Sequence, residues 1–180
     1  MDKDQIFYHL GEDEPFQDHP ASPPIYQTSN FTFGSLEEMA KSFQNEDKIP
    51  FYTRGANPTT SILQQKLAAL ENTEEALVFG SGSAAITAAV VSQVKAGDHI
   101  VCVDNPYSWT KKLIDKILTR FNVTCTYVDP SDSQAMIDAC KDNTVLIYME
   151  SPNSWTYEMQ DIQLIADFAK ANSITTILDN

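Results

Sequence analysis

Cysteine is scarce in this 180-residue chain, and positive charge is scarcer than negative. The three cysteines, Cys102, Cys125 and Cys140, are widely spaced, odd in number and free of any C-x-x-C pair. That argues against a disulfide framework and predicts free thiols in a reducing, cytoplasmic setting. The three histidines, His9, His19 and His99, show no metal-ligand spacing. Lys and Arg number 12 against 25 Asp and Glu, a net charge of −13. Such a balance argues against nucleic acid or an anionic membrane as partner. It leaves room for a single phosphate held by local backbone dipoles. No apolar run is long enough to span a bilayer. The opening Met1-Asp2-Lys3-Asp4 lacks the basic-then-apolar pattern of a signal peptide. No internal repeat or low-complexity segment occurs. What remains is an ordinary globular composition, 42% hydrophobic, long enough for one domain with a sizeable core.

The most informative stretch is Leu77-Val78-Phe79-Gly80-Ser81-Gly82-Ser83-Ala84-Ala85-Ile86. An apolar run ends in Gly-Ser-Gly-Ser and opens into an Ala-rich segment, which reads as strand, tight turn and helix start. The glycines let the backbone turn sharply and approach a ligand. The first helical N–H groups lack intrahelical partners, and the helix dipole favours an anion there. The simplest ligand for such a turn is a phosphate group; an ordinary glycine-rich turn is the plainer alternative.

Residues 1 to about 34 are broken by Pro15, Pro20, Pro23 and Pro24 and read as an extended arm anchored by Ile25, Tyr26, Phe31 and Phe33. Ser35-Leu36-Glu37-Glu38 is a capping box that predicts a short helix through Phe43. An irregular loop over 51–60 leads into a helix with Ile62, Leu63, Leu67 and Leu70 on one face. From Ala76 strands and helices alternate. Strands are predicted at 76–79, 99–103, 123–128, 144–149 and 174–178, and helices at 82–93, 108–120, 132–140 and 160–171. This rhythm implies an α/β fold of right-handed βαβ units around a mainly parallel sheet. Ligands in such sheets sit beyond the carboxyl ends of the strands. Those ends carry Gly80-Ser81-Gly82, Asp104-Asn105-Pro106-Tyr107, Asp129, Glu150-Ser151-Pro152-Asn153 and Asp179-Asn180. The sequence closes directly after its last predicted strand, which predicts a chain cut off within a larger domain.

Tyr52-Thr53-Arg54-Gly55-Ala56-Asn57-Pro58-Thr59 resembles the Tyr-Ser-Arg-x-x-Asn-Pro-Thr signature of the Cys/Met-metabolism enzymes that use pyridoxal 5′-phosphate (PLP), such as cystathionine γ-synthase, cystathionine γ-lyase and methionine γ-lyase. The likeness continues in order through Ser81-Gly82-Ser83, Tyr107, Glu150-Ser151-Pro152 and Asp179-Asn180. It implies a fold-type-I large domain preceded by an N-terminal arm and intersubunit loop, with residues 1–60 forming the latter and 61–180 the first part of the former. It implies that Ser81, Gly82 and Ser83 form the phosphate cup, that Tyr107 stacks on the pyridine ring and serves proton transfer, and that Asp179 pairs with the pyridine nitrogen. Tyr52 and Arg54 match the pair that reaches a neighbouring subunit's phosphate, a task suited to the planar guanidinium. The implied protein is then a homo-oligomer acting on a sulfur amino acid or an activated homoserine by elimination or replacement.

Two departures stand out. The resembled family reads Glu-Ser/Thr-Pro-x-Asn-Pro where this chain has Glu150-Ser151-Pro152-Asn153-Ser154-Trp155, so either Asn153 or Ser154 supplies the contact to the ring's phenolic oxygen. The family's Schiff-base lysine lies downstream of the Asp-Asn pair, so residues 1–180 alone are expected to be inactive. Ser108-Trp109-Thr110-Lys111 fits the short pattern around that lysine but sits upstream, next to Tyr107. Two other readings remain. Gly80-x-Gly82-x-x-Ala85 with Asp104 fits a Rossmann-type NAD site, and an α/β module that binds a phosphate ligand or a partner chain needs no catalysis.

Overall fold

A computed structural model describes residues 2–12, 16 and 18–180; Pro15 lies outside the described residues. The chain forms two compact units, Met1–Val78 and Phe79–Asn180.

The first unit contains α1 (Lys3–Tyr8), α2 (Leu36–Gln44) and α3 (Pro58–Glu71). The arm was expected to be extended throughout, yet its first residues form α1. The Asp2 N–H donates to Gln5 Oε1 at 3.4 Å, and Lys66 of α3 donates to the Phe7 carbonyl at 2.8 Å and pairs with Glu12. Tertiary partners here outweigh weak periodicity. Ser35 caps α2 by accepting from the Glu38 N–H at 3.2 Å, and Glu38 returns a bond to the Gly34 N–H. Asn57 is the hub of the loop before α3. Its Oδ1 accepts from the Thr59 N–H, while its Nδ2 donates to the Tyr26 carbonyl and to Thr53 Oγ1. Pro58 occupies the first helical turn, where a missing N–H costs nothing. Ile25 is 74% exposed and does not anchor the arm within this chain. Leu63, Leu67 and Leu70 also remain exposed.

The second unit holds α4 (Gly82–Gln93), β1 (His99–Val103), α5 (Ser108–Lys112), β2 (Thr124–Val128), α6 (Ser133–Asp138), β3 (Thr144–Glu150), α7 (Ile162–Ala171) and β4 (Thr175–Asp179). The four strands are all parallel, in the order β2-β1-β3-β4. β1 is buried at every residue and β3 at all but Val145. Such unbroken apolar runs are what central strands covered on both faces require. The outer strands β2 and β4 are only partly buried. Ile100, Val101, Leu146, Ile147, Met136 and Ile165 lie at the centre of the core. Residues 76–79 form no strand among the described residues, and Leu77 is 72% exposed. A strand needs a ladder partner, and this sheet provides none for them. The helix expected over 108–120 is α5 followed by a π-turn at Leu113–Ile117 and a 3₁₀ turn at Leu118–Phe121. Asp115, within the widened turn, accepts from the Tyr127 hydroxyl at 2.8 Å.

His99 opens β1 and is fully buried. Its Nδ1 lies 2.7 Å from Thr144 Oγ1, and its Nε2 lies 2.8 Å from Thr126 Oγ1 and 3.1 Å from Lys141 Nζ. An ammonium only donates, so Nε2 accepts and the ring proton belongs on Nδ1. Burial, and then the Lys141 charge, push the His99 pKa below its ordinary value. The unfolded chain therefore binds this proton more readily than the folded one. The stability contributed here is fully present above about pH 6.5 and is lost as pH falls below it. Denaturation of the protein and its His99→Gln variant from pH 8 to 5 checks this. The advantage of the parent is expected to shrink as pH falls; an advantage independent of pH contradicts it.

Candidate active site

The strand order reverses direction between β1 and β3: β1 leads to β2 on one side, and β3 leads to β4 on the other. The crevice beyond the carboxyl ends at such a switch point is where open α/β sheets bind ligands. A cavity of about 470 Å³ lies there, within the size range of small-molecule sites.

One wall is the start of α4. Ser81 is its N-cap, extended at φ −161°, with Oγ accepting from the Ala84 N–H at 3.2 Å. Gly82 and Ser83 are the first helical residues, and among the described residues no acceptor engages their N–H groups. All three residues line the cavity. A Cβ built on Gly82 meets no atom within 4 Å, so packing does not demand a glycine there and the space in front of it is open.

The second wall is the turn after β1, which runs through Asp104 and Asn105 to Tyr107 at the N-cap of α5. Asn105 takes φ +52°, a left-handed value that asparagine tolerates well. The third wall is the turn after β3. Glu150 ties the two turns together. Its Oε2 accepts from the Tyr107 N–H and its Oε1 from the Ser154 N–H, each at 2.6 Å. The group is 5% exposed. Burying it is tolerable because each oxygen holds a short bond to a backbone donor.

Asp179 ends β4 in direct register with Glu150. It lines the cavity, as does Asn180. Asp179 Oδ2 accepts from the Tyr148 hydroxyl at 2.8 Å, and its backbone carbonyl accepts from the Ser151 N–H at 3.0 Å. Tyr148 is fully buried. Burial first, and also the Asp179 charge, push its phenol far above the ordinary range, against an opposing hydrogen bond from Thr110.

Of the residues singled out in the sequence, Ser81, Gly82, Ser83, Tyr107, Ser154 and Asp179 come together around this one cavity. Asn153 does not line it. It is 1% exposed, and its Nδ2 donates to the Asp104 carbonyl and to Thr156 Oγ1, each at 3.2 Å. Tyr52 and Arg54 belong to the first unit, where the guanidinium sits 5.1 Å from the centre of the Tyr52 ring. Both are exposed. Asp104, the acid of the NAD reading, caps the Asn105 N–H at 2.8 Å and lies 3.8 Å from Lys111. Sequence reasoning gave no role to Glu150 or Tyr148. Glu150 carried two signals, a charge at the end of an otherwise apolar strand and its place at the head of the Glu150-Ser151-Pro152 motif. Tyr148 carried none, because a tyrosine in such a strand reads as core.

The family model for Cys/Met metabolism PLP-dependent enzymes matches residues 4–180. The chain is 39% identical to L-methionine gamma-lyase of Fusobacterium nucleatum over 158 residues, covering 87% of this chain and 40% of that protein. It is 34% identical over 173 residues to O-acetyl-L-homoserine sulfhydrylase of Corynebacterium glutamicum, covering 96% of this chain and 40% of that protein. Among solved structures, a putative O-acetylhomoserine (thiol)-lyase of Campylobacter jejuni carrying a pyridoxyl-lysine phosphate superposes with a TM-score of 0.90 at 28% identity, over 100% of this chain and 44% of that one. The chain thus spans less than half the length of each of these three. These matches displace the Rossmann reading, and this chain belongs to the family of Cys/Met metabolism PLP-dependent enzymes.

Proposed function

We propose that the protein is a PLP enzyme of sulfur amino-acid metabolism, eliminating or replacing a group at the β- or γ-carbon of a sulfur amino acid or an activated homoserine. One observation carries this reading: the free N–H groups of α4, the Tyr107 ring and the Asp179 carboxylate surround one cavity at the sheet's switch point. The residues fit the cofactor chemically. Gly82 and Ser83 offer unengaged N–H donors at a helix N-terminus, suited to a phosphate. Tyr107, 40% exposed, offers an aromatic face beside them. Asp179 offers an acceptor for a ring N–H.

Bound there, PLP supplies an electron sink for the substrate carbanion. The work of the chain is positioning and proton control. The α4 N–H groups and the Ser81 and Ser83 hydroxyls hold the phosphate. Asp179 keeps a proton on the ring nitrogen. The Tyr107 ring would lie against the bound cofactor, and its phenol would be placed to move a proton near the substrate. Ser154, which lines the cavity, serves the ring's phenolic oxygen in preference to the enclosed Asn153. No Lys or Arg lines the cavity among the described residues, so a dianionic phosphate there gains from a cation brought by another chain. Tyr52 and Arg54 of a neighbouring subunit fill that need, which makes the active form at least a dimer.

Mixing two defective chains tests this reading. Arg54→Ala and Asp179→Ala are each expected to abolish most PLP-dependent turnover of methionine or homoserine esters in the full-length protein. Coexpressed, they are expected to recover roughly a quarter of the parent activity, the statistical share of a twofold dimer with one intact site per mixed pair. No recovery would place Arg54 in its own subunit's site. A second expectation concerns the clasp. Glu150→Gln presents one amide N–H₂ where an acceptor is needed, leaving the N–H of Tyr107 or Ser154 unpaired. The expected cost is about 1–3 kcal/mol of stability, together with weaker PLP binding. Urea denaturation and PLP titration measure both, and an unchanged variant argues against the clasp.

A further inference from the structure

From the hydrogen bonds behind Asp179 we infer that Thr110 and Tyr148 form a directed relay that positions the Asp179 carboxylate for its ligand. The inference rests on the reading of Asp179 as the partner of the cofactor's ring nitrogen. The direction follows from counting protons. Tyr148 has one hydroxyl proton and gives it to Asp179 Oδ2 at 2.8 Å. The contact between Thr110 Oγ1 and the Tyr148 oxygen, 3.3 Å long, must then run the other way, with the Thr110 hydroxyl donating. The chain thus passes from α5 through β3 to β4, ending on an acceptor.

Its members are rigidly held. Thr110 and Tyr148 are both fully buried. Tyr148 pairs in register with Ile177, two residues before Asp179, so it meets the carboxylate diagonally across adjacent strands. Its phenol is displaced far above the ordinary range and therefore remains a donor. The other carboxylate oxygen, Oδ1, accepts no hydrogen bond among the described residues. One oxygen is fixed from behind, and one is left for a ligand. Tyr148 and Thr110 are thus positioning residues. They hold the rotamer of Asp179, so binding need not spend free energy ordering it.

A double-mutant cycle on PLP affinity in the full-length protein tests the relay. Tyr148→Phe is expected to weaken PLP binding about tenfold, in line with the loss of one hydrogen bond to a charged acceptor. Thr110→Val is expected to weaken it in the same direction by a smaller factor, roughly two- to threefold, because it acts one bond further away. In an Asp179→Ala background both losses are expected to vanish, since the relay then ends on nothing. Loss of affinity of equal size in both backgrounds would show that Tyr148 acts only through packing, and no loss in either would remove the relay altogether. If Tyr148→Phe does not fold, the Thr110→Val cycle decides by the same criterion. Should Asp179→Ala itself leave PLP affinity unchanged, the ring-nitrogen role of Asp179 fails. That outcome is distinct from one in which Asp179 matters and Tyr148 does not.

Discussion

The two bonds of the Glu150 carboxylate are the constraint on which the cavity depends. The turn after β1 and the turn after β3 leave the sheet from neighbouring strands, and beside the Asn153 bond to the Asp104 carbonyl the Glu150 carboxylate is what ties them together. One buried side chain receives a backbone N–H from each, Tyr107 on one side and Ser154 on the other. It therefore fixes the spacing between the aromatic wall and the hydroxyl wall of the site. Few residues other than glutamate meet the requirement. Aspartate is one methylene shorter, and an amide replaces one acceptor with a donor.

A phosphate site proposed in an acidic chain looks contradictory until range is considered. The net charge of −13 is spread over the surface, where salt screens it within about 10 Å. The α4 N–H groups act at contact distance. On the proposed reading the local field of a helix start governs the cavity, and the global balance acts only on what the surface repels. The two carboxylates beside the cavity, Glu150 and Asp179, are register partners. Each is already engaged by a donor of its own, backbone N–H groups for one and a phenol for the other.

Some of this was legible in the residues. β1 and α4 fall at the expected positions, because five consecutive apolar or enclosed residues and a Ser-Gly-Ser cap are local signals. The gathering of Tyr107 and Asp179 followed from the parallel βαβ pattern, which sends every strand end to one edge. What was not legible was decided by partners distant in sequence. Residues 76–79 look like a strand, but pairing is not a local property. α1 exists through Lys66, some 59 positions away. The Asn153 amide is occupied by the Asp104 carbonyl, 49 positions away in sequence, a partner that no local signal reveals. Tyr148 is chemically visible only once Asp179 stands beside it.

The placement of β1 between β2 and β3 has a consequence for how the protein comes into being. β1 is the first strand of the sheet to be synthesised, yet one of its two ladders is with a strand 45 residues later, as the His99–Thr144 pair shows. Parallel pairings of this separation form slowly, because loop closure precedes any reward in contacts. During translation the central strand therefore waits with one edge bare. The clasp spans 43 residues between Tyr107 and Glu150 and closes only after that edge is filled. The clasp thus forms after the sheet around it, and a nascent chain stalled before β3 exposes an apolar strand with an unpaired edge.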